Sequence, residues 1–285
     1  MPDFVTRFAP SPTGRLHLGH AFSALTAFEA ARAAGGRLLL RIEDIDRQRC
    51  KPQFEAVLLE DLAWLGLQWE APVRRQSEHR TDYEAALDKL RAQGLLYRCF
   101  RTRKDLAAMA SAPHGWVEPF RGDALPPAEE AMRLQAGDAF AWRLSLDRTK
   151  AALGPVWDAL SFIDLDHGPR AAHPETTGDV VLARKDVGVA YHLASVVDDA
   201  LQGVTHVIRG EDLREAVHVQ RLLQALLDLP TPLYRHHRLL LGPDGKRLAK
   251  RDGSKSLAEL RAEGADPNQL RAELGFPARA AAPFQ

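Results

Sequence analysis

Cysteine is scarce: Cys50 and Cys99 are the only two in 285 residues. That excludes a disulfide framework and a Cys-rich zinc module. Long apolar runs are missing as well. Nothing approaches the roughly 18 consecutive apolar residues of a membrane-spanning helix, and Met1-Pro2-Asp3-Phe4-Val5-Thr6-Arg7 has no basic-then-apolar leader. A cytoplasmic protein with no membrane partner is the expectation. Charge of one sign is also lacking, with 38 basic against 38 acidic side chains. Any contact with nucleic acid must therefore come from local patches. Neither a Gly-rich Walker sequence nor a dinucleotide fingerprint occurs, which sets aside P-loop enzymes and ordinary Rossmann dehydrogenases.

What is present is enough for a well-buried core, since 45% of the residues are hydrophobic. Phe4 to Phe8 reads as a strand, Ala9 to Gly14 as a Pro-, Ser- and Gly-rich loop, and Ala21 to Ala34 as a helix stopped by Gly35-Gly36. Arg37 to Ile42 reads as a buried strand. Strand, helix and strand with short connections form a βαβ unit, which predicts an α/β fold with a parallel sheet. Helices follow at Phe54 to Leu65 and Arg80 to Gln93, then a strand at Leu95 to Cys99. From about Phe100 to Pro174 prolines and glycines multiply, as expected for an inserted subdomain of short elements. Regular structure resumes at Asp179 to Ala183, Val204 to Arg209, a helix over Arg214 to Leu227 and a strand over Arg238 to Leu241. The expected segments are 1–98, the first half of the catalytic domain; 99–175, the insertion; 176–258, its second half; and 259–285, a helical tail with a frayed Ala/Pro-rich end.

The most informative stretch is Arg7-Phe8-Ala9-Pro10-Ser11-Pro12-Thr13-Gly14-Arg15-Leu16-His17-Leu18-Gly19-His20. His17 and His20, three apart at a helix start, share one face. Free N–H groups and the helix dipole point to the same place, which suits triphosphate charge. Gly19 omits a side chain where an adenine or ribose can approach the backbone. A second stretch, Leu241-Gly242-Pro243-Asp244-Gly245-Lys246-Arg247-Leu248-Ala249-Lys250-Arg251-Asp252-Gly253, is a turn followed by a cationic loop. Such a loop can close over pyrophosphate and stabilise charge on a reacting phosphate.

The first stretch resembles the first signature of class I aminoacyl-tRNA synthetases, in its glutamyl form. The second resembles their second signature, Lys-Leu-Ser-Lys-Arg, with Arg247 in place of the first Lys and Ala249 in place of Ser. This resemblance implies a Rossmann-like parallel sheet with an inserted α+β subdomain. It also implies ATP as a substrate, Mg²⁺ with it, and His17, His20 and Lys250 as catalytic residues. Gly19 and Arg247 join them in binding ATP.

A glutamate site must hold two carboxylates and one ammonium, so it wants arginines and an acid. Arg7, Glu43, Tyr191 and Arg209 supply such a set, three of them at expected strand ends, where ligands of open parallel sheets sit. The resemblance places Arg7, Phe8, Ala9, Pro10, Ser11, Glu43, Tyr191 and Arg209 around L-glutamate, with Arg209 and Tyr191 at the side-chain carboxylate and Glu43 at the amine.

The resemblance covers roughly residues 4 to 258, and the chain stops soon after the second signature, where a full glutamyl-tRNA synthetase continues into anticodon-reading structure. This short form resembles the glutamyl-queuosine tRNA(Asp) synthetases. They activate glutamate without tRNA and transfer it to queuosine in the anticodon loop of tRNA(Asp). A monomer is expected. Many of these relatives hold zinc through a Cys-x-Cys pair, a Tyr and a later Cys. Here the pair reads Cys99-Phe100-Arg101 and the later position Pro119-Phe120-Arg121-Gly122, so zinc is not expected, and Trp116 with Phe120 is expected to form a small apolar cluster. The other histidines, His167, His173, His236 and His237, read as surface or satisfied polar groups. Arg74-Arg75 and Arg98-Arg101-Arg103-Lys104 read as possible phosphate contacts or a solvated face. Three alternatives stay open: a shortened enzyme charging the 3′ end of tRNA(Glu), a non-catalytic paralogue that binds nucleotide or tRNA, and a nucleotidylyltransferase of related fold.

Overall fold

The computed structural model describes residues 3–102, 119–184, 188–241 and 255–278. Its elements in chain order begin with β1 (Val5–Phe8), α1 (Leu18–Ala33), β2 (Arg37–Ile42), α2 (Pro52–Trp64), β3 (Glu70–Arg75), α3 (Arg80–Ala92) and β4 (Leu96–Cys99). Next come α4 (Pro127–Gln135), β5 (Ala141–Leu144), α5 (Leu146–Leu153), α6 (Pro155–Asp158), β6 (Ser161–Asp164), β7 (Gly168–Ala171), β8 (Val181–Arg184) and β9 (Gly188–Val189). The last are α7 (Tyr191–Leu201), β10 (His206–Gly210), α8 (Ala216–Leu227), β11 (Leu233–His237), α9 (Leu257–Ala262) and α10 (Pro267–Glu273).

β1 is buried throughout, and β2 is buried from Leu38 onward. That is the pattern of parallel strands covered on both faces. β1, β2 and β3 pair in parallel, as do β10, β11 and β6, with β7 antiparallel at the far edge. The two sheets meet where Thr205 N donates to Val5 O at 3.0 Å and Val5 N donates to Thr205 Oγ1 at 2.9 Å. Strand order therefore runs outward in both directions from β1 and β10. That seam is a topological switch point, and the strand ends beside it open a crevice. Apolar residues of α1, α2 and α10 fill one core, and those of α3, α7 and α8 fill the other.

The sheet pairing redraws the expected segments. β6 and β7, inside 99–175, belong to the sheet of β10 and β11, whereas β8 and β9, beyond 175, pair with β5 and β4 in a separate antiparallel sheet. The last strand is also displaced: it is Leu233–His237, not Arg238 to Leu241. The apolar run Leu239-Leu240 lines a cavity instead of a sheet. β3 gave no sequence signal because it is an edge strand with a proline and little burial. The stretch 257–278 packs firmly, with Leu257 fully buried and the Arg271 guanidinium donating to Leu65 O at 2.9 Å. The end read as frayed, 279–285, lies outside the described residues.

Candidate active site

α1 begins three residues earlier than its apolar pattern suggests, because two histidines cap it. His17 Nδ1 accepts from Gly19 N at 3.1 Å, and His17 N donates to His20 Nδ1 at 3.2 Å. The rings lie 3.8 Å apart. This is a capping box built from imidazoles, where Ser and Glu usually serve. It fixes both rings at the helix N-terminus. It also explains Gly19 differently from the expectation above: a Cβ there would come within 2.9 Å of His17 Cε1. The glycine makes room for the His17 ring first.

The rings look into a cavity of about 300 Å³, within the usual size of a small-molecule site. Arg7, Phe8, Ala9, Pro10 and Ser11, from the end of β1 and the loop after it, line one side. Glu43, after β2, Tyr191, at the start of α7, and Arg209, near the end of β10, line it too, with Gly19 and both histidines. The structure thus brings together every expected site residue that it describes. Arg247 and Lys250 lie outside the described residues. The flanks of that segment border the site: Leu240 lines the cavity, and Leu257 N donates to Leu16 O, next to His17.

Charge is distributed unevenly around the cavity. Arg41 is fully buried and surrounded by acids, its Nη2 being 2.8 Å from Asp199 and its Nε 3.6 Å from Asp198 and 3.7 Å from Glu43. Burial works against its charge, but Asp199, Asp198 and Glu43 outweigh that and raise its pKa. Asp199 also accepts from Arg7 Nε at 3.0 Å, which orients that side chain. Burial would raise the Asp199 pKa, yet Arg7 and Arg41 hold it below the usual carboxylate range. Asp198 accepts from Tyr83, Gln76 and Arg74. Glu43 is different: burial dominates the pull of Arg41 and Arg7 and pushes its carboxyl up to about 7.

Arg209, only 4% exposed, has no acidic partner among the described residues. Nη1 donates to Gln220 Oε1 at 2.9 Å and lies 3.4 Å from the Tyr191 hydroxyl, and Nε donates to His236 Nε2 at 3.3 Å. Nη2 is buried with no hydrogen-bond acceptor among the described residues. Burial, then Arg209 and Arg214, push the His236 pKa down to about 4, so the ring is neutral and can accept from the guanidinium.

Sequence reasoning missed this supporting layer. His236 is not the surface or satisfied group expected: it is buried beneath the site, its Nε2 accepts from Arg209 and its Nδ1 has no hydrogen-bond partner among the described residues, while His237 lines the cavity and bonds Ser23 Oγ through Nε2 at 3.0 Å. The signal was available in the pairing of Arg209 with His236 and of Gly210 with His237, but it required the true position of β11. Arg74 and Arg75 are committed to Asp198 and Glu55 and do not form a phosphate patch. His167 and His173 pair with Asp164 and Glu175 near the surface, as expected.

Among the described residues no group of three or more His, Cys, Asp or Glu side chains is placed to hold a metal ion. Phe120 carries the Arg143 guanidinium 4.5 Å over its ring and Arg101 at 5.9 Å. Of the expected apolar cluster, Phe120 packs against these guanidinium groups, and Trp116 lies outside the described residues. Asp179 organises the region through Tyr97, Gly122 N and Leu146 N.

Comparison with known proteins agrees with this geometry. Residues 3–276 match the family described as "tRNA synthetases class I (E and Q), catalytic domain". A glutamyl-Q tRNA(Asp) synthetase of Rhodobacter capsulatus is 49% identical, over 95% of this chain and 100% of that one. One from Symbiobacterium thermophilum is 44% identical, over 95% and 85%. Among solved structures, a glutamate tRNA ligase from Elizabethkingia meningosepticum in complex with its amino acid superposes with a TM-score of 0.77 at 29% identity, over 95% of this chain and 60% of that one. A switch-point cavity with arginines, the acids Glu43 and Asp212 and a histidine-capped helix, on a chain matched almost end to end, places the protein in the class I tRNA synthetase family of the E and Q type, among the glutamyl-Q tRNA(Asp) synthetases.

Proposed function

We propose that the enzyme activates L-glutamate with ATP, without tRNA, and transfers the glutamyl group to queuosine in the anticodon loop of tRNA(Asp). The observation that carries this is Arg209: a buried guanidinium in the cavity wall whose Nη2 has no hydrogen-bond partner, and which makes no ion pair, among the described residues. A dicarboxylic amino acid supplies the missing anion. Its side-chain carboxylate meets Arg209 and Tyr191, its α-amine meets Glu43, and Arg7, Phe8, Ala9, Pro10 and Ser11 enclose the rest.

The glutamate α-carboxylate then attacks the α-phosphate of ATP, forming glutamyl-adenylate and releasing pyrophosphate. The protein contributes position and charge. Nδ1 of His17 and of His20 serves the helix cap, and in this reading the two rings, held at the helix N-terminus, meet the triphosphate. Gly19, Arg247 and Lys250 complete the nucleotide site. Mg²⁺ enters with the ATP phosphates, which suits an ion that is usually held by substrate oxygens. No helix among the described residues is long and apolar enough to cross a membrane. We place the enzyme in the cytoplasm, acting as a monomer.

Glutamate-dependent exchange of pyrophosphate into ATP, measured without RNA, tests the activation step. Exchange with glutamate and not with glutamine or aspartate is the expected result. Equal exchange with glutamine would remove the role given to Arg209.

A further inference from the structure

A second cleft lies on the other side of the Glu43 segment. Its volume is about 220 Å³, and Ile45, Tyr83, Phe140, Trp142, Arg80 and Arg184 are prominent in its lining. It opens between α3 and the β5–β8–β9 face of the insertion, where none of the expected site residues sits. The wall between the two cavities is short: Glu43 lines the first, and Ile45, two residues on, lines the second. Arg80 Nη2 donates to Ile45 O at 3.3 Å and ties that wall to α3.

The chemistry of the cleft is specific. Phe140 and Trp142 meet edge to face at 5.6 Å. Behind the lining, the Arg98 guanidinium, ion-paired with Glu130, lies 4.6 Å over the Trp142 ring, and Arg91, paired with Asp88, lies 5.9 Å over it. Arg98 and Trp142 are register partners on β4 and β5, so the pair is built into the sheet. Arg80 and Glu84 of α3 and Arg184 of β8 complete its polar lining. An aromatic face held in place by neighbouring guanidinium groups is what an unstacked base of single-stranded RNA uses, through stacking. The volume suits one ring system, since a cavity of about 150 Å³ accepts benzene.

We infer that this cleft holds one unstacked nucleobase of the substrate RNA, from a nucleotide flanking the acceptor nucleoside, against Phe140 and Trp142. The inference rests on the reading that the first cavity transfers glutamate to an RNA nucleoside. A base held on one side of the Glu43 segment fixes the RNA while its neighbour enters the first cavity. It also lets an enzyme with balanced overall charge choose an RNA loop without a large basic surface.

The test compares wild type with Trp142→Leu, Phe140→Leu and Trp142→Phe. Pyrophosphate exchange without RNA reports folding and activation. Glutamate transfer is measured on a queuosine-containing anticodon stem-loop of tRNA(Asp), intact or abasic at either flanking nucleotide. The expected loss is about tenfold in kcat/KM, through KM, for each leucine variant, in line with the worth of one base–aromatic stack. Exchange stays within about twofold, and Trp142→Phe recovers most of the loss. One abasic substrate should show the same loss with wild type and no further loss with Trp142→Leu, which marks direct coupling. Unchanged KM in the leucine variants, or losses that add fully with both abasic substrates, overturns the inference. Wild type that exchanges pyrophosphate but transfers nothing to the intact stem-loop fails at the earlier step, and both readings fall.

Discussion

Two arginines sit at similar depth beside the cavity and lead opposite lives. Arg41 has three carboxylates around it, all supplied by the chain. Arg209 has Gln220, Tyr191 and His236, none of them anionic. Burying a charge is costly unless it is paired. Arg41 is paid for by the fold itself and is structural. Arg209 is left for a ligand to neutralise. Depth alone therefore does not tell a structural arginine from a binding one; the charge of its neighbours does.

Four substitutions probe that contrast. Arg41→Ala should have the largest effect, because it strands Asp198, Asp199 and Glu43 in the interior. A loss of about 3–5 kcal/mol in stability is expected from breaking such a network, read by denaturant unfolding. Arg209→Gln should leave the melting temperature unchanged or raised, and should weaken glutamate binding by about 3 kcal/mol, or roughly 100-fold, read by calorimetry. If the two substitutions gave the same pattern, the distinction would be wrong.

Glu43→Gln comes next. The folded-state pKa of Glu43 is raised to about 7 from an ordinary 4.5. The protonated carboxyl therefore favours the fold below pH 4.5, and that contribution is lost as pH rises through 7. The glutamine variant should be more stable than wild type at pH 8, by roughly 3 kcal/mol, and no more stable at pH 4. Its glutamate affinity should be poorer, and the rise between pH 6 and 8 expected of wild type, as Glu43 ionises, should be absent. Gly19→Ala should have the smallest effect on stability, about 1 kcal/mol or less. It should lower the exchange rate by displacing the His17 ring, with glutamate affinity kept.

The contrast between the arginines also shows what was legible beforehand. The βαβ start, the histidine pair and the chemistry of Arg7, Glu43, Tyr191 and Arg209 could be read from local sequence, since each lies at a strand or helix end with a recognisable signal. The partners of those residues could not. Arg41 sits in Arg41-Ile42-Glu43 with no sign that Asp198 and Asp199 will meet it, because that contact depends on α7 packing across β1 and β2. The neutral surroundings of Arg209 depend on β11, whose polar Arg235-His236-His237 looked less like a strand than the apolar Leu239-Leu240-Leu241 that follows. Long-range pairing, not local propensity, decides both, and the same holds for β6 joining the catalytic sheet from inside the expected insertion.

The central claim is the identity of the final acceptor. The direct measurement supplies ATP, Mg²⁺ and labelled glutamate with queuosine-containing tRNA(Asp), queuosine-free tRNA(Asp) or tRNA(Glu), each alone. The account predicts label on queuosine-containing tRNA(Asp) and on neither of the others. Label on tRNA(Glu) would contradict it and make the protein a 3′-end charging enzyme, and no label on any tRNA, with no pyrophosphate exchange, would make it a non-catalytic relative.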